Sequence, residues 1–456
     1  MGEIAAAMPV RKQAVELVRL AAPVVIARAS IMSMVLVDTI MVGRYGATAL
    51  AELALASAFF VVLHVSAAGL LIGTLIFAAN SHGARAYTQC GQVWRRSLPY
   101  AAFIGMAGFA LCLLAEPLFL VTRQTPELAT GGASLALILG AGTPFLLCYI
   151  VSANFLEGIK RPLPAMIIML FANIVNVGAN WVFIFGELGM PELGAMGAVI
   201  ATNLVRFVAL CLILGYIWHM RDWQLFGVRV PDPNGWRASW RGWADQRKLG
   251  FAHGLSAAIE ASAFSAMTLL AGLLGTMAIA AYTITLNLIG MNFMIALGFA
   301  SATTVCIGNA RGAADYRAAR LTGWTGLALC AAIQAAIAIG MALNPAQIGG
   351  FYTTQTDLLA TIVPLIALTA WVIVLDGGQA VMANALRGWN DSWVPTLTHL
   401  CAYAIVMIPC GWWLTQRAGH GPLGLIEAIL IATVISISLL CLRYIWLTGR
   451  HVRAAR

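Results

Sequence analysis

Charged residues are scarce in this chain of 456 residues, where Asp, Glu, Lys and Arg together make up only 10%. A soluble globular domain carries roughly a quarter charged residues, so this chain has too little polar surface for a water-soluble globule. Hydrophobic residues account for 61% of the sequence. The composition therefore excludes a soluble domain and predicts a protein of the lipid bilayer.

Motifs of enzymes and of metal sites are missing as well. The nine cysteines are odd in number and show no C-x-x-C spacing, and the seven histidines form no cluster with metal-ligand spacing. No H-E-x-x-H, G-x-S-x-G or phosphate-loop motif occurs. These absences argue against an enzyme and predict a protein without a cofactor. We interpret His64, which lies near the middle of an apolar run, as a packed and hydrogen-bonded residue rather than a proton carrier.

Apolar runs of about 20 residues, long enough to cross a bilayer as helices, occur twelve times in the sequence. They lie at about 15–42, 50–77, 97–121, 131–156, 164–186, 196–219, 249–275, 279–307, 321–344, 358–385, 395–415 and 423–447. The sequence therefore predicts an all-α polytopic membrane protein with six transmembrane helices in each half.

The two halves of the chain repeat each other. Gly43–Tyr87 matches Gly272–Tyr316 without a gap at a shift of 229 residues. A second match, at a shift of 230, relates Ala153–Gly158 to Ala383–Gly388. Six spans return the chain to its starting side, so we expect two homologous lobes related by a pseudo-twofold axis along the membrane normal. The predicted lobes are residues 1–220 and 249–456, joined by a linker at 221–248.

Basic residues indicate the orientation in the membrane. Only Arg44, Arg123 and Arg417 lie in the predicted outer loops, whereas most of the 27 Lys and Arg residues, Arg387 among them, lie in the predicted inner loops and termini. Because loops rich in Lys and Arg stay on the cytoplasmic side, we expect both termini to be cytoplasmic. This topology accounts for the net charge of +9 without a nucleic-acid partner. A cleavable signal is not expected, because the basic N-terminal residues lead straight into a full-length span.

The predicted linker is the longest polar stretch and carries turn-forming residues such as Pro231, Pro233 and Gly235. Three further residues, Trp236, Trp240 and Trp243, follow spacings of four and three. This pattern fits a short amphipathic helix at the cytoplasmic membrane interface, with an irregular loop as the alternative.

Among the acidic residues of the predicted spans, three carboxylates stand out at membrane depth: Asp38 in the first span, Glu260 in the seventh and Asp376 in the tenth. Placing a charge at that depth costs about 2.5–3.5 kcal/mol, so we treat each of these carboxylates as a candidate functional residue. The alternative to a functional role is a carboxylate that is buried only to form an ion pair with Arg28 or Arg206. Asp38 and Arg28 cannot form a direct pair, because ten residues of helix separate them by roughly 15 Å. The carboxylates are not repeated symmetrically, because Asp38 matches a Met and Glu260 an Ile at the shift of 229.

The fifth predicted span carries Asn173, Asn176 and Asn180, whose spacings of three and four place their amides on one helical face. Amide and carboxylate oxygens that face one cavity suit a small cation or a proton relay. Hydrogen bonding between packed helices is the alternative for these residues.

These residues carry a resemblance to a known family. Val37–Gly43, Glu260, Asp376 with the following Asn384–Gly388, and Gly186–Gly197 resemble the bacterial NorM-type branch of the multidrug and toxic compound extrusion (MATE) family. The resemblance covers nearly the whole chain. It implies a V-shaped pair of six-helix bundles in the bacterial inner membrane that exports cationic amphipathic compounds in exchange for Na⁺ or H⁺. We expect a monomer.

The resemblance also implies site residues. Asp38, Asn176, Asn180 and Thr202 match the N-lobe cation site of the family, where Na⁺ would bind, and Glu260 and Asp376 match its C-lobe carboxylates. Two departures are Thr283, where related proteins commonly have Gln, and Val372, where the family has Tyr. They suggest a C-lobe poorer in polar neighbours and transport driven by protons through the N-lobe.

Substrate contacts are expected from soft apolar side chains, which accept many shapes. The candidate residues are Met32, Met34, Phe264, Met267, Met291 and Phe293.

Two other functions stay open. A flippase for a lipid-linked oligosaccharide would need a cationic cavity, and only Arg28 and Arg206 could supply it. A cation channel or a membrane-embedded enzyme is less favoured, since a repeat with asymmetric polar sites argues for alternating access and no catalytic motif is present.

Overall fold

The computed structural model describes residues 10–230 and 243–454, and within these ranges the regular structure is entirely helical. The helices are α1 Val10–Tyr45, α2 Ala47–Leu70, α3 Ile72–Gly83, α4 Tyr87–Cys112, α5 Ala115–Val121, α6 Pro126–Ala141, α7 Thr143–Gly158, α8 Leu163–Phe185, α9 Ala195–His219, α10 Ala244–Leu273, α11 Thr276–Gly312, α12 Tyr316–Leu343, α13 Pro345–Tyr352, α14 Thr356–Gly388, α15 Trp393–His399, α16 Ile408–Gln416 and α17 Pro422–Ala454. A 3₁₀ turn at Glu187–Gly189 follows α8, and a π-helix at Leu400–Met407 joins α15 to α16.

The described part of the chain contains ten helical segments long and apolar enough to cross a membrane. Two of them are composite, since α2 continues into α3 and α15 continues through the π-helix into α16. Two further pairs pass the same test but are bent, α4 with α5 by 45° and α6 with α7 by 43°. Counting each bent pair as one span gives twelve, so the prediction of an all-α, multi-pass membrane protein is confirmed.

Local sequence accounts for the helix breaks. Pro144 stands in the first turn of α7 and has no N–H to donate back to α6. The adjoining Gly142 is the residue at which α6 and α7 separate. At the end of α8, Gly186 adopts a left-handed conformation with φ 74°, which a residue without a Cβ enters at no steric cost. Long apolar runs thus make the helices, and Gly and Pro divide them.

The chain forms two compact units. One comprises Ile26–Gly254, the N-unit, and the other comprises Met1–Val25 with Leu255–Arg456, the C-unit. In the N-unit the rings of Trp94 and Phe155 lie 5.8 Å apart within a buried cluster. In the C-unit a second cluster surrounds the fully buried Tyr282. Each unit therefore has its own hydrophobic core.

The beginning of α1 belongs to the C-unit. Gly298 of α11 has no side chain, and a Cβ at this position would overlap the side chain of Val25 and lie 3.0 Å from its backbone nitrogen. The missing side chain allows α1 and α11 to pack closely. The lobes predicted at 1–220 and 249–456 stay a prediction, as does the linker at 221–248.

The predicted interfacial helix of the linker lies mostly outside the described residues, which do not include 231–242 with Trp236 and Trp240. Residues 221–229 form turns, and α10 already begins at Ala244, before the predicted end of the linker. Trp243 is 4% exposed, and the guanidinium of Arg96 lies 5.4 Å from its ring. This Trp is therefore a packed residue of the N-unit.

Close packing of α4 on α7 yields a stability prediction. A Cβ at Gly105 would lie 2.5 Å from the Cα of Pro144, whereas one at Gly108 would lie 3.6 Å from the Thr143 side chain, an ordinary contact. We expect Gly105→Ala to lower the free energy of unfolding by about 1–3 kcal/mol, because backbone cannot move aside as a side chain can. Thermal unfolding in detergent measures this, with Gly108→Ala as the matched control. Equal midpoints for the two variants would contradict the packing described here.

Candidate functional site

Asp38 lies in the second half of the membrane-spanning helix α1 and is half-buried. Asn180 of α8 donates a hydrogen bond to Asp38 Oδ1 at 2.5 Å, and Thr202 of α9 donates to Asp38 Oδ2 at 3.1 Å. Asn180 Nδ2 also lies 3.3 Å from Asn176 Oδ1. Four of the residues singled out in the sequence thus lie together, and they form the Asp38 site.

The periodicity of α8 explains which amides reach Asp38. Asn176 and Asn180 are four residues apart, on one helical face, and both are fully buried. Asn173 does not join them, because its amide donates to the carbonyl oxygen of Met169 in its own helix at 3.0 Å. The spacing alone predicted three amides on this face, and only two contribute to the site.

The Asp38 site has unused hydrogen-bonding capacity. Among the described residues, Asn180 Oδ1 is buried and has no hydrogen-bond partner. A buried polar atom without a partner costs roughly 1–3 kcal/mol. Carboxylate, amide and hydroxyl oxygens are the ligands that small hard cations prefer. The geometry therefore suits a proton or a small monovalent cation. Groups of three or more His, Cys, Asp and Glu side chains that could hold a metal are absent from the part of the chain that the structure describes.

A positively charged side chain, that of Arg206, lies next to the Asp38 site. Arg206 lies one helical turn after Thr202 on α9, and its guanidinium interacts electrostatically with Asp38. Arg206 Nη1 donates to the carbonyl oxygen of Leu139 at 3.0 Å and to Asn203 Oδ1 at 3.1 Å. The guanidinium also lies 4.9 Å from the centre of the Phe60 ring. Arg206 is therefore anchored by neutral groups while it faces a charged one.

A second polar cluster occupies the C-unit. Asp376 of α14 is 3% exposed and accepts two hydrogen bonds at Oδ1, from Gln379 at 3.2 Å and from the Tyr403 hydroxyl at 3.3 Å. Gln379 follows Asp376 by three residues on the same helix. Tyr403 lies in the π-helix, whose wider turn is frequent at functional sites of membrane and soluble proteins.

Glu260 of α10 belongs to the same cluster. Its Oε2 lies 3.8 Å from Nδ1 of His399, which in turn lies 2.8 Å from the Ser256 hydroxyl. Arg387, 2% exposed, donates to Ser256 Oγ at 3.0 Å and interacts electrostatically with Glu260. We refer to Glu260, Asp376 and their partners Gln379, Tyr403, His399, Ser256 and Arg387 as the Glu260–Asp376 cluster.

The structure corrects two interpretations of the C-half. Arg387 was counted among the basic residues of the inner loops, but it is buried in α14. The departures at Thr283 and Val372 suggested carboxylates with few polar neighbours, and this was wrong. Thr283 is exposed and donates to its own helix, and Val372 is fully buried in the apolar core, while other side chains supply the donors. Of these, only Gln379 carried a signal in the sequence, its spacing of three from Asp376.

The six candidate substrate contacts fall in different environments. Met32 and Met291 are exposed, by 39% and 60%. Met34, Phe264 and Phe293 are half-buried, and the Phe264 ring lies 6.0 Å from that of Tyr403. Met267 is fully buried in the core of the C-unit. Its selection as a substrate contact was therefore wrong, since a core side chain presents no surface to a ligand.

Comparison with known proteins gives the family. The MatE family model matches residues 23–182 and 253–413. A protein of Caulobacter vibrioides named probable multidrug resistance protein NorM is 36% identical, over 98% of this chain and 94% of its own length. The multidrug resistance protein PmpM of Pseudomonas aeruginosa is 30% identical, over 97% of this chain and 94% of its own length.

Solved structures show the same fold. A crystal structure of the eukaryotic MATE transporter AtDTX14 superposes with a TM-score of 0.89 at 17% identity and covers 98% of this chain and 99% of its own. The outward-facing conformation of a multidrug resistance MATE family transporter matches with a TM-score of 0.85 at 20% identity, over 95% of this chain and 96% of its own. Since the family model covers both halves of the repeat and a relative at 36% identity spans nearly the whole chain, the resemblance found in the sequence is confirmed, and the protein belongs to the MatE family, whose members are membrane transporters and not enzymes.

Proposed function

We propose that this protein is a secondary active multidrug efflux transporter, which exports cationic amphipathic compounds in exchange for H⁺, Na⁺ or both by alternating access. The observation that carries the proposal is the Asp38 site, an intramembrane carboxylate held by neutral donors from two other helices. The names of the relatives, multidrug resistance proteins NorM and PmpM, support the class of substrate.

Charge balance supplies the coupling. Asn180 and Thr202 orient the Asp38 carboxylate without neutralising it, so the carboxylate attracts one positive charge. A proton or Na⁺ at this position satisfies that charge, and a cationic substrate then gains little from it. With the site empty of the ion, the substrate binds instead. Ion and substrate would therefore occupy the protein in alternation, which is the requirement for exchange across the membrane.

The Glu260–Asp376 cluster is proposed as a second coupling site. It holds two carboxylates and one guanidinium, Arg387, with a histidine at 3.8 Å from Glu260. With both acids ionised and the histidine neutral, the cluster carries one negative charge in excess. A single proton or Na⁺ would remove the excess.

Substrate contacts are proposed at the five candidate side chains that present surface: Met32, Met34, Phe264, Met291 and Phe293. Thioether and phenyl groups pack against many apolar shapes, which suits broad selectivity.

We further propose a monomer of two lobes, 1–220 and 249–456, in the bacterial inner membrane with cytoplasmic termini. A flippase for an anionic lipid-linked sugar is less well supported, because Arg206, one of the two candidate cations, is hydrogen-bonded to protein groups.

The first functional prediction concerns Asp38→Asn. This substitution preserves the volume of the side chain and removes its charge, so we expect at least a tenfold loss of ethidium efflux from cells at near-normal expression. The matched control is Asn173→Ala, which deletes an amide of α8 that does not reach Asp38. Full efflux by Asp38→Asn, or an equal loss in the control, would exclude the coupling described above.

The second functional prediction concerns the ion. Each carboxylate oxygen of Asp38 already accepts one hydrogen bond, which leaves fewer lone pairs for a Na⁺ that needs several oxygen ligands, whereas a proton needs only one lone pair. We therefore expect protons to drive transport. In proteoliposomes, efflux of a cationic dye should respond to an imposed pH gradient and collapse with an uncoupler. Full activity driven by a Na⁺ gradient at constant pH, insensitive to the uncoupler, would contradict proton coupling.

A further inference from the structure

Arg206 occupies a position that the exchange mechanism leaves unexplained. It is a guanidinium in a membrane-spanning helix, where a charge costs several kcal/mol, and it lies beside the carboxylate that would bind the coupling ion. A simple ion site would not place a fixed positive charge there. Its partners indicate what else it does.

Arg206 and Asn203 bind the end of α6. The last carbonyl groups of a helix have no N–H donor within the helix, and in α6 they belong to the turn that precedes the break at Gly142. The Asn203 amide donates to the carbonyl oxygen of Ile138, and Arg206 donates to that of Leu139 at 3.0 Å. A cation at a helix C-terminus is also favoured by the helix dipole. These two side chains of α9 therefore stabilise the bent arrangement of α6 and α7.

Gly142 is required for this contact. A Cβ at position 142 would overlap Asn203 Oδ1, which is the atom that accepts a hydrogen bond from Arg206. The break between α6 and α7, the Asn203 amide and the Arg206 guanidinium thus form one contiguous set of contacts within the N-unit.

The same guanidinium faces Asp38. Thr202, whose hydroxyl donates to Asp38 Oδ2 at 3.1 Å, precedes Arg206 by four residues, so the two side chains emerge from one face of α9. A second titratable group, His64 of α2, also interacts electrostatically with Arg206. Arg206 therefore contacts the end of α6 and at the same time interacts electrostatically with the Asp38 carboxylate.

We propose that Arg206 is the fixed counter-ion of Asp38 and the positioning residue that links the charge of Asp38 to the bend between α6 and α7. The proposal rests on the ion exchange proposed above. While Asp38 is ionised, Arg206 is attracted to the carboxylate as well as to Leu139 and Asn203. When a proton or a cationic ligand neutralises Asp38, the first attraction is lost and only the contacts with the end of α6 remain. Binding of a proton or a cationic ligand at Asp38 then changes the free energy of the bent arrangement of α6 and α7.

The charge of Arg206 has a second consequence. It repels any cation that approaches Asp38, which weakens binding and speeds release. A fixed unit charge that acts on a neighbouring unit charge in a protein environment changes an affinity by roughly tenfold or more. Removal of the charge should therefore tighten the binding of a cationic substrate and slow its turnover.

Two substitutions separate charge from geometry. Arg206→Gln keeps a donor for Leu139 and loses the charge, whereas Arg206→Lys keeps the charge and loses the planar group that reaches two acceptors. Arg28→Gln is the matched control, because it also removes an intramembrane cation but lies ten residues from Asp38 on α1, roughly 15 Å away. Each protein is reconstituted at equal amounts, and the concentration dependence of ethidium transport under a pH gradient is measured.

We expect Arg206→Gln to lower the KM for ethidium roughly tenfold and to lower the maximal rate. Arg206→Lys should retain the wild-type KM with a reduced maximal rate, and Arg28→Gln should retain the wild-type KM. An unchanged KM in Arg206→Gln, or an equal decrease in Arg28→Gln, would overturn the role as counter-ion. Equal maximal rates in wild type and Arg206→Lys would overturn the link to the bend.

Equilibrium binding of ethidium to the purified proteins in detergent tests the counter-ion without transport. Tighter binding by Arg206→Gln than by wild type is expected even if the wild type fails to exchange ions, so a failure of the proposed function is distinguished from a failure of this inference. If Arg206→Gln does not fold, Asn203→Ala replaces it. That variant keeps the charge and loses one anchor, so its maximal rate should fall at an unchanged KM, and a changed KM would overturn the inference.

Discussion

Burial of a carboxylate inside a membrane-spanning helix is the constraint on which both units depend. Hydrocarbon offers no hydrogen-bond donors, so such a side chain must find its partners within the protein. α1 meets this need by presenting Asp38 to donors of α8 and α9. In the C-unit, Asp376 takes one donor from its own helix and one from the π-helix. Because each bond requires a given rotation and depth of the helices that supply it, the polar groups select one packing among the many that apolar faces alone would allow.

The repeat conserves architecture more closely than charge. In the N-unit, Arg161 after α7 forms an ion pair with Asp222 after α9. At the shift of 230 residues Arg161 corresponds to Asp391, which pairs with Arg443 of α17 at 2.8 Å. The partners Asp222 and Arg443 do not align at this shift, so each half has an ion pair in this region but only one of its two positions is repeated.

The candidate site could be predicted in part. Asn176 and Asn180 were evident because helical spacing places them on one face, and the resemblance to the family added Thr202. His399 and Arg387 were missed. Each looks like an ordinary residue of a helix end when the chain is read along its length, and only the packing of α15 on α14 and α10 brings them to Glu260.

The amino-acid sequence alone was enough to establish the bilayer as solvent, the twelve spans, the repeated halves and the family, because apolar length, Gly and Pro positions and residue spacing are local properties of the chain. Helix packing decided the rest. It brought Asn180 to Asp38 across 142 residues, buried Met267 in the core and joined Arg206 of α9 to the end of α6. Such contacts depend on how each helix is rotated about its axis and on its depth in the membrane. A pattern of hydrophobic residues does not determine either quantity to better than about one helical turn.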